Sequence, residues 1–132
     1  MKKILLLFVA MATLALANSL VAQDLRKGGS VYGKIESNGE VRLGGSVKGR
    51  FETNGDIRVG GSVKGKIESN GDIRKGGSVI GKVEANGDVR IGGSVVGKVE
   101  SNGDIRKGGS VVGSAKGVST RIAAVMFFFD FF

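Results

Sequence analysis

A sixteen-residue unit, Gly-Gly-Ser-Val-x-Gly-(Lys/Arg)-(Ile/Val/Phe)-Glu-x-Asn-Gly-(Asp/Glu)-(Ile/Val)-Arg-x, runs five times without a gap from Gly28 to Lys107. Self-similarity at a fixed period means one small supersecondary unit, repeated; such a unit cannot bury its apolar face alone and must stack on or close with its neighbours. Within the unit, counted from its first glycine, even positions carry Gly, Val and Ile, while odd positions carry Ser, Lys or Arg, Glu, Asn, Asp and Arg. Strict alternation with period two belongs to strands with one buried face, and it excludes helix over the repeats. Asn-Gly recurs at Asn38, Asn54, Asn70, Asn86 and Asn102, each pair followed by an acidic residue. This is the chemistry of a tight hairpin turn.

Side-chain parity sets the register. A two-residue loop at Asn70-Gly71 places Ile67 opposite Arg74, whereas a three-residue loop of Ser69, Asn70 and Gly71 places it opposite Ile73, and burial selects the latter. That loop is a type I turn with a glycine bulge, Gly71 taking the left-handed position. The same reasoning at Lys75-Gly76-Gly77 pairs Ile73 with Val79, so hairpin follows hairpin with three inward aliphatics per repeat. Lys66 then faces Arg74 and Glu68 faces Asp72, while the diagonals Lys66 with Asp72 and Glu68 with Arg74 are attractive. A mid-strand glycine (Gly33, Gly49, Gly65, Gly81, Gly97 and Gly113) points inward, which a strand tolerates best near the axis of a narrow closed sheet.

The two ends support closure. Asp24 to Lys27 match the second half of a repeat, and Gly108 to Gly113 with Ala115 match the first half. Together they complete one more unit, and pairing the first strand with the last removes the sheet edges. The expected fold is therefore all-β, tandem hairpins closed around a pseudo-symmetry axis, with an apolar C-terminal tail.

Three segments follow. Residues 1–22 have the layout of a secretory signal peptide, with Lys2 and Lys3, an apolar run from Ile4 to Ala17 and small residues after it. The run is too short to favour a membrane span of about twenty residues. Residues 23–121 form the repeat domain. Residues 122–132 are the tail, with five of the seven phenylalanines in the last six positions. The inward aliphatics of the repeats are few, so the tail is expected to enlarge the core, as a plug or an added strand. Its alternative use is a protein or membrane contact through Phe127, Phe128, Phe129, Phe131 and Phe132. Insertion as an outer-membrane barrel is disfavoured, because strands of four to seven residues fall short of the nine to eleven a spanning strand needs. The chain has no cysteine, so export brings neither disulfides nor a lipid-modified cysteine. The expected location is the periplasm, the outer-membrane surface or the medium.

The exported start, the Ser-Val-x-Gly-Lys-Ile-Glu-Ser-Asn-Gly-Asp-Ile-Arg units, and the ending from Val-Val-Gly-Ser-Ala-Lys-Gly-Val to Ala-Ala-Val-Met-Phe-Phe-Phe resemble the five-fold beta-flower proteins of bacteria. The resemblance covers essentially the whole mature chain. It implies hairpin petals around a pseudo-symmetry axis, and it brings no established activity and no catalytic residues. Five complete repeats fit the name, whereas the two half repeats make a sixth petal, so both counts remain open.

Catalysis is not expected. Histidine and cysteine are absent, and each carboxylate recurs at the same repeat position with nothing unique around it. Glu68, Asn70 and Asp72 have the spacing of a calcium loop's first ligands, but the glycine precedes the acid, the distal glutamate is missing, and Lys66 and Arg74 flank them. A turn with charged shoulders is the better account. No metal or cofactor is expected, and Gly-Gly-Ser-Val-x-Gly lacks the strand-to-helix setting of a phosphate loop. Removing Lys2 and Lys3 lowers the net charge from +8 to +6, which suits an anionic glycan or lipid of the envelope. Nucleic acid is not expected, because Tyr32 and Phe51 are the only aromatic residues in the repeats. On the outward face, Ile80, Val96 and Val112 form a candidate contact patch.

The leading functional expectation is a non-enzymatic exported structural or interaction module. The second is a self-assembling scaffold resembling the bactofilins, motivated by a repeat length near one β-solenoid rung and by the tail. Against a solenoid stands the Asn-Gly turn, since a solenoid breaks alternation at its corners.

Overall fold

In the computed structural model, residues 23–132 are described; the signal peptide expected over residues 1–22 lies outside them. Twelve strands close into a single antiparallel barrel in sequence order, followed by one short helix. Six hairpins therefore surround the axis. The sixth is made of the two half repeats: β1 (Gln23–Lys27) pairs with β12 (Ser110–Ser114) on one side and β2 (Ser30–Ile35) on the other. Neighbouring strands run antiparallel all round, so the repeat is a hairpin and not a solenoid rung.

One unit stands for all, with β6 (Ser62–Ile67), β7 (Asp72–Lys75) and β8 (Ser78–Val83). At the Asn-Gly turn the register is the expected one: Ile67 pairs with Ile73 and Lys66 with Arg74. Gly71 holds φ +97°. Its N–H donates to Glu68 O at 3.0 Å, and the Glu68 N–H donates to Asp72 O at 2.8 Å. The Asn70 side chain accepts from the Asp72 N–H at 3.0 Å, which fixes the turn from within.

The other turn differs from expectation. Gly76 and Gly77 both have positive φ, +59° and +90°, as a two-residue type I′ turn requires and as consecutive glycines adopt cheaply. Lys75 thus pairs with Ser78 and Arg74 with Val79; the register then slips, and Ile73 pairs with Gly81 rather than Val79. The slip is a bulge, which reverses the face of everything before it. Val79 consequently stands on the outer wall beside Arg74, and two apolar side chains per repeat, not three, face inside, all but the half-buried Ile67 being fully buried. These are the rows Leu25, Val41, Ile57, Ile73, Val89 and Ile105, and Ile35, Phe51, Val83 and Val99.

A barrel widens with strand number, and about eight strands already enclose a lumen their own side chains just fill. Twelve strands with glycine on the inner wall need a filler. The tail supplies it. Helix α1 (Thr120–Phe128) is N-capped by Ser119, whose hydroxyl accepts from the Ile122 N–H at 3.2 Å. Arg121 Nη1 donates to Glu68 O at 3.3 Å, anchoring the start of α1 at the Asn-Gly rim. Ala123, Ala124 and Val125 are buried among the inward rows, and the chain leaves the helix at the Gly-Gly rim.

There each tail ring seats against one inward glycine. A methyl group built on Gly113 would lie 2.8 Å from Phe127 Cε1; the equivalent partners are Phe128 for Gly97, Phe129 for Gly81, Phe131 for Gly65 and Phe132 for Gly49, each at 2.5–2.6 Å. The missing Cβ is thus space for a ring. The Gly81→Ala substitution is expected to destabilise the fold by about 1–3 kcal/mol, because the methyl also meets Arg90 O at 2.5 Å and neither backbone nor ring has room to yield. Chemical denaturation against the parent protein checks this; equal midpoints would contradict the ring-on-glycine packing.

Candidate self-association surface and the barrel mouth

The bulge that reverses Val79 repeats in every hairpin. It leaves Val31, Val47, Val63, Val79, Val95 and Val111 each 45–49% exposed, an apolar belt around the outer wall near the Gly-Gly rim. With Ile91 and Val96 they are the large apolar side chains most exposed among the described residues. Parity from a three-residue turn turns these valines inward, so the sequence reasoning missed them. The signal that finds them is the Gly-Gly pair itself, a dipeptide that takes two successive positive φ values without strain.

The residues singled out from sequence lie elsewhere. Val96 is exposed, but Ile80 and Val112 are half-buried and pack against the core, because the bulge turns them toward the barrel mouth. Together the three do not make an outward patch. Phe127, Phe129 and Phe131 are 7–9% exposed, and Phe128 and Phe132 are half-buried against the same cluster. The expected contact surface on the tail is therefore corrected: its rings are committed to the glycine slots and face inward.

Charges line the outer wall in repeated pairs. The Nε of Arg42, Arg58, Arg74, Arg90 and Arg106 donates to Glu36, Glu52, Glu68, Glu84 and Glu100 respectively at 2.5–2.6 Å. Glu68 with Arg74 is thus realised as expected. The other diagonal is not: among the described residues Lys66 and Asp72 form no ion pair, and Asp72 Oδ2 instead accepts from Asn70 Nδ2 at 3.3 Å. Four of these arginines, 58, 74, 90 and 106, also donate through Nη1 to the second glycine carbonyl of the following turn at 3.0–3.1 Å. Each pair is some 40% exposed on the arginine side and contributes little alone; its use is to brace the turn that holds the valine out. One oxygen each of Glu68, Asn70 and Asp72 is engaged in these bonds, which build the turn and the wall.

At the mouth, lysines ride over the plug. Lys75 Nζ lies 5.1 Å from the Phe131 ring centre and donates to Asp130 O at 2.5 Å; Lys107 Nζ lies 5.1 Å from Phe128, and Lys27 Nζ lies 4.5 Å from Tyr32. Such contacts stabilise by roughly 0.5–1 kcal/mol at exposed sites. Tyr32 packs edge-on against Phe127 at 5.7 Å. Burial pushes its phenol up to about 12 from the usual 10.

A family model described as "Bactofilin: Polymer-forming cytoskeletal" matches residues 41–128, two thirds of the chain. The chain belongs to the bactofilin family. No match was found among curated proteins or among solved structures. The bactofilin match spans hairpins and plug alike, from β3 (Glu40–Leu43) to the end of α1. The matched family is described as polymer-forming, and the outer wall of this chain carries repeated apolar and paired charged side chains.

Tyr32 is the single tyrosine and there is no tryptophan, so ultraviolet titration reads it alone. The expected midpoint is near 12 in the folded protein and about 10 after denaturation. Because the folded value is the higher one, this group's contribution to stability is complete below about pH 10 and is lost as pH rises toward 12. A folded midpoint at 10 would contradict the burial of the phenol.

Proposed function

We propose that this protein is a non-enzymatic scaffold module that polymerises through its outer valine belt. The observation that carries the reading is the joint presence of a polymer-forming family match and six equivalent half-exposed valines on a barrel whose sheet has no free edge. Strand addition at an edge is the commonest way a β-protein extends itself. Closure removes that route among the described strands, so subunits must meet through side chains. A stable interface buries about 800 Å² on each side, so the contact extends from the valines onto the adjoining Gly-Gly turns. A belt with near-equivalent contacts at six azimuths favours open assemblies over a single closed dimer.

The beta-flower resemblance is kept as the finer architectural assignment; six hairpin petals around an axis support it, with six in place of the five its name implies. Export through the signal segment 1–22 remains part of the proposal, and it places the scaffold in the envelope or outside the cell. A net charge of +6 on the mature chain suits assembly beside anionic envelope components.

Replacing Val63 and Val79 with lysine is expected to lower the assembly state sharply while leaving the fold intact, since both side chains are half in water already. Light scattering over a concentration series, with circular dichroism beside it, checks this. Unchanged assemblies in the double variant would remove the belt from the interface, and a parent protein monomeric at all concentrations would remove the scaffold reading itself.

A further inference from the structure

Charge is not spread evenly along the barrel axis. The Gly-Gly rim is built from six stretches, residues 27–33, 43–49, 59–65, 75–81, 91–97 and 107–113, which hold five lysines and no acidic residue. The carboxylates of the repeats sit in the other half of each unit, where arginine pairs and Asn-Gly turns use them. Lys27, Lys48, Lys64, Lys75 and Lys107 are all exposed. Among the described residues, Asp130 of the tail is the one acidic side chain at this rim. The mouth of the barrel is therefore ringed by positive charge.

The repetition breaks at one turn. Five of the Gly-Gly turns are flanked by one lysine and one apolar or aromatic residue, as Lys75 and Ile80 flank Gly76-Gly77. The turn at Gly92-Gly93 is flanked by Ile91 and Val96 instead, each 37% exposed, with the belt residue Val95 beside them. Among the described residues these two are the only exposed large apolar side chains outside the six belt valines. One hairpin tip is thus apolar, set between the lysine-bearing tips of Lys75 and Lys107. Those two lysines lie over the plug, 5.1 Å from the Phe131 and Phe128 ring centres. Their apolar stems can cover rings while the charged ends stay in water.

We propose that the Gly-Gly rim docks on an anionic lipid bilayer, with Ile91 and Val96 of the Gly92-Gly93 tip entering the headgroup layer and the five lysines meeting lipid phosphates around it. Basic clusters of this size are drawn to anionic leaflets, each lysine near the surface raising affinity about fivefold. Apolar side chains at such a face add burial at the boundary between headgroups and acyl chains. A soluble polyanion would use the lysines alone and gives no reason for Ile91 and Val96 to stand exposed among them. The Asn-Gly rim, where carboxylates balance the cations of the repeat, faces away from the lipid. Docking does not rest on the assembly reading, since the belt valines face sideways from the wall and the rim faces along the axis.

The test is cosedimentation of residues 23–132, which hold the whole closed barrel and its plug, with vesicles of equimolar phosphatidylcholine and phosphatidylglycerol. Leaving out residues 1–22 keeps their apolar run from carrying the protein to lipid. The expected result is binding at low salt that falls steeply as salt rises, with little binding to phosphatidylcholine alone. Lys75→Gln with Lys107→Gln weakens it about twentyfold. Lys48→Gln with Lys64→Gln does the same, and because neither of these lysines is among the three that lie over rings, the second pair separates lost charge from a loosened plug. Ile91→Ser with Val96→Ser weakens vesicle binding and leaves binding to dextran sulfate, a soluble polyanion, unchanged. Lys66→Gln with Lys82→Gln, on the wall, changes vesicle binding little. No binding to the anionic vesicles at low salt overturns the docking face, as does a parent affinity that both rim lysine pairs leave unchanged or that the wall pair lowers equally. Dextran sulfate bound as tightly as the vesicles, with Ile91→Ser and Val96→Ser without effect on either, overturns the lipid assignment.

Discussion

The whole structure depends on the contact between a phenylalanine ring and a glycine that has no Cβ. Six hairpins can close a sheet, but a twelve-strand ring has a centre its own short aliphatics do not fill. Glycine on the inner wall widens that centre further. The same absence of side chain lets five tail rings approach the backbone, each at its own strand, so that what is missing from the repeats is supplied by one segment outside them. The rings are individually large apolar groups, and because they share one short stretch of chain, the tail and the barrel fold as one unit.

Much of this was legible in the sequence, and the reasons are particular. Asn70-Gly71 could be read because only one loop length puts Ile67 and Ile73 on the same face. Closure could be read because residues 24–27 and 108–115 complete a repeat between them. Gly76-Gly77 defeats a parity argument, because the alternation does not continue through Val79. A two-residue turn and a bulge break it there, and the break sends six valines outward and turns Ile80 and Val112 toward the mouth. The tail could be seen as a filler from composition, but its match of one ring to one glycine is a property of the barrel's circumference, which no local pattern contains. For that reason the rings at 127–132, plausible as a contact surface in a list of residues, are core in space.

The repeat length also explains how a family of polymer-forming proteins and a hairpin barrel meet in one chain. Sixteen residues suit one rung of a solenoid and equally one hairpin with its two turns, so the period alone does not separate them; the two glycine turns do. The consequence is functional. A solenoid offers its ends for stacking, whereas a closed barrel offers only its wall and its two rims. On this wall the repeated features are the arginine–glutamate pairs that brace the Gly-Gly turns and the valines those turns hold out, which places the bulge, a local backbone event, at the origin of the proposed contact. The rims differ from one another: the start of α1 occupies one, and rings, lysines and Tyr32 occupy the other, so the two faces of the module are chemically distinct.

The most direct test of the central claim is a proton NMR spectrum of the purified chain with assigned glycine Hα resonances. Rings seated on the inward glycines shift their Hα protons strongly upfield and give cross-peaks to phenylalanine ring protons. The account predicts this at Gly49, Gly65, Gly81, Gly97 and Gly113, each with its own phenylalanine, and not at Gly33, whose partner is Leu43. Ordinary shifts at all six glycines, with no ring contacts, would contradict it.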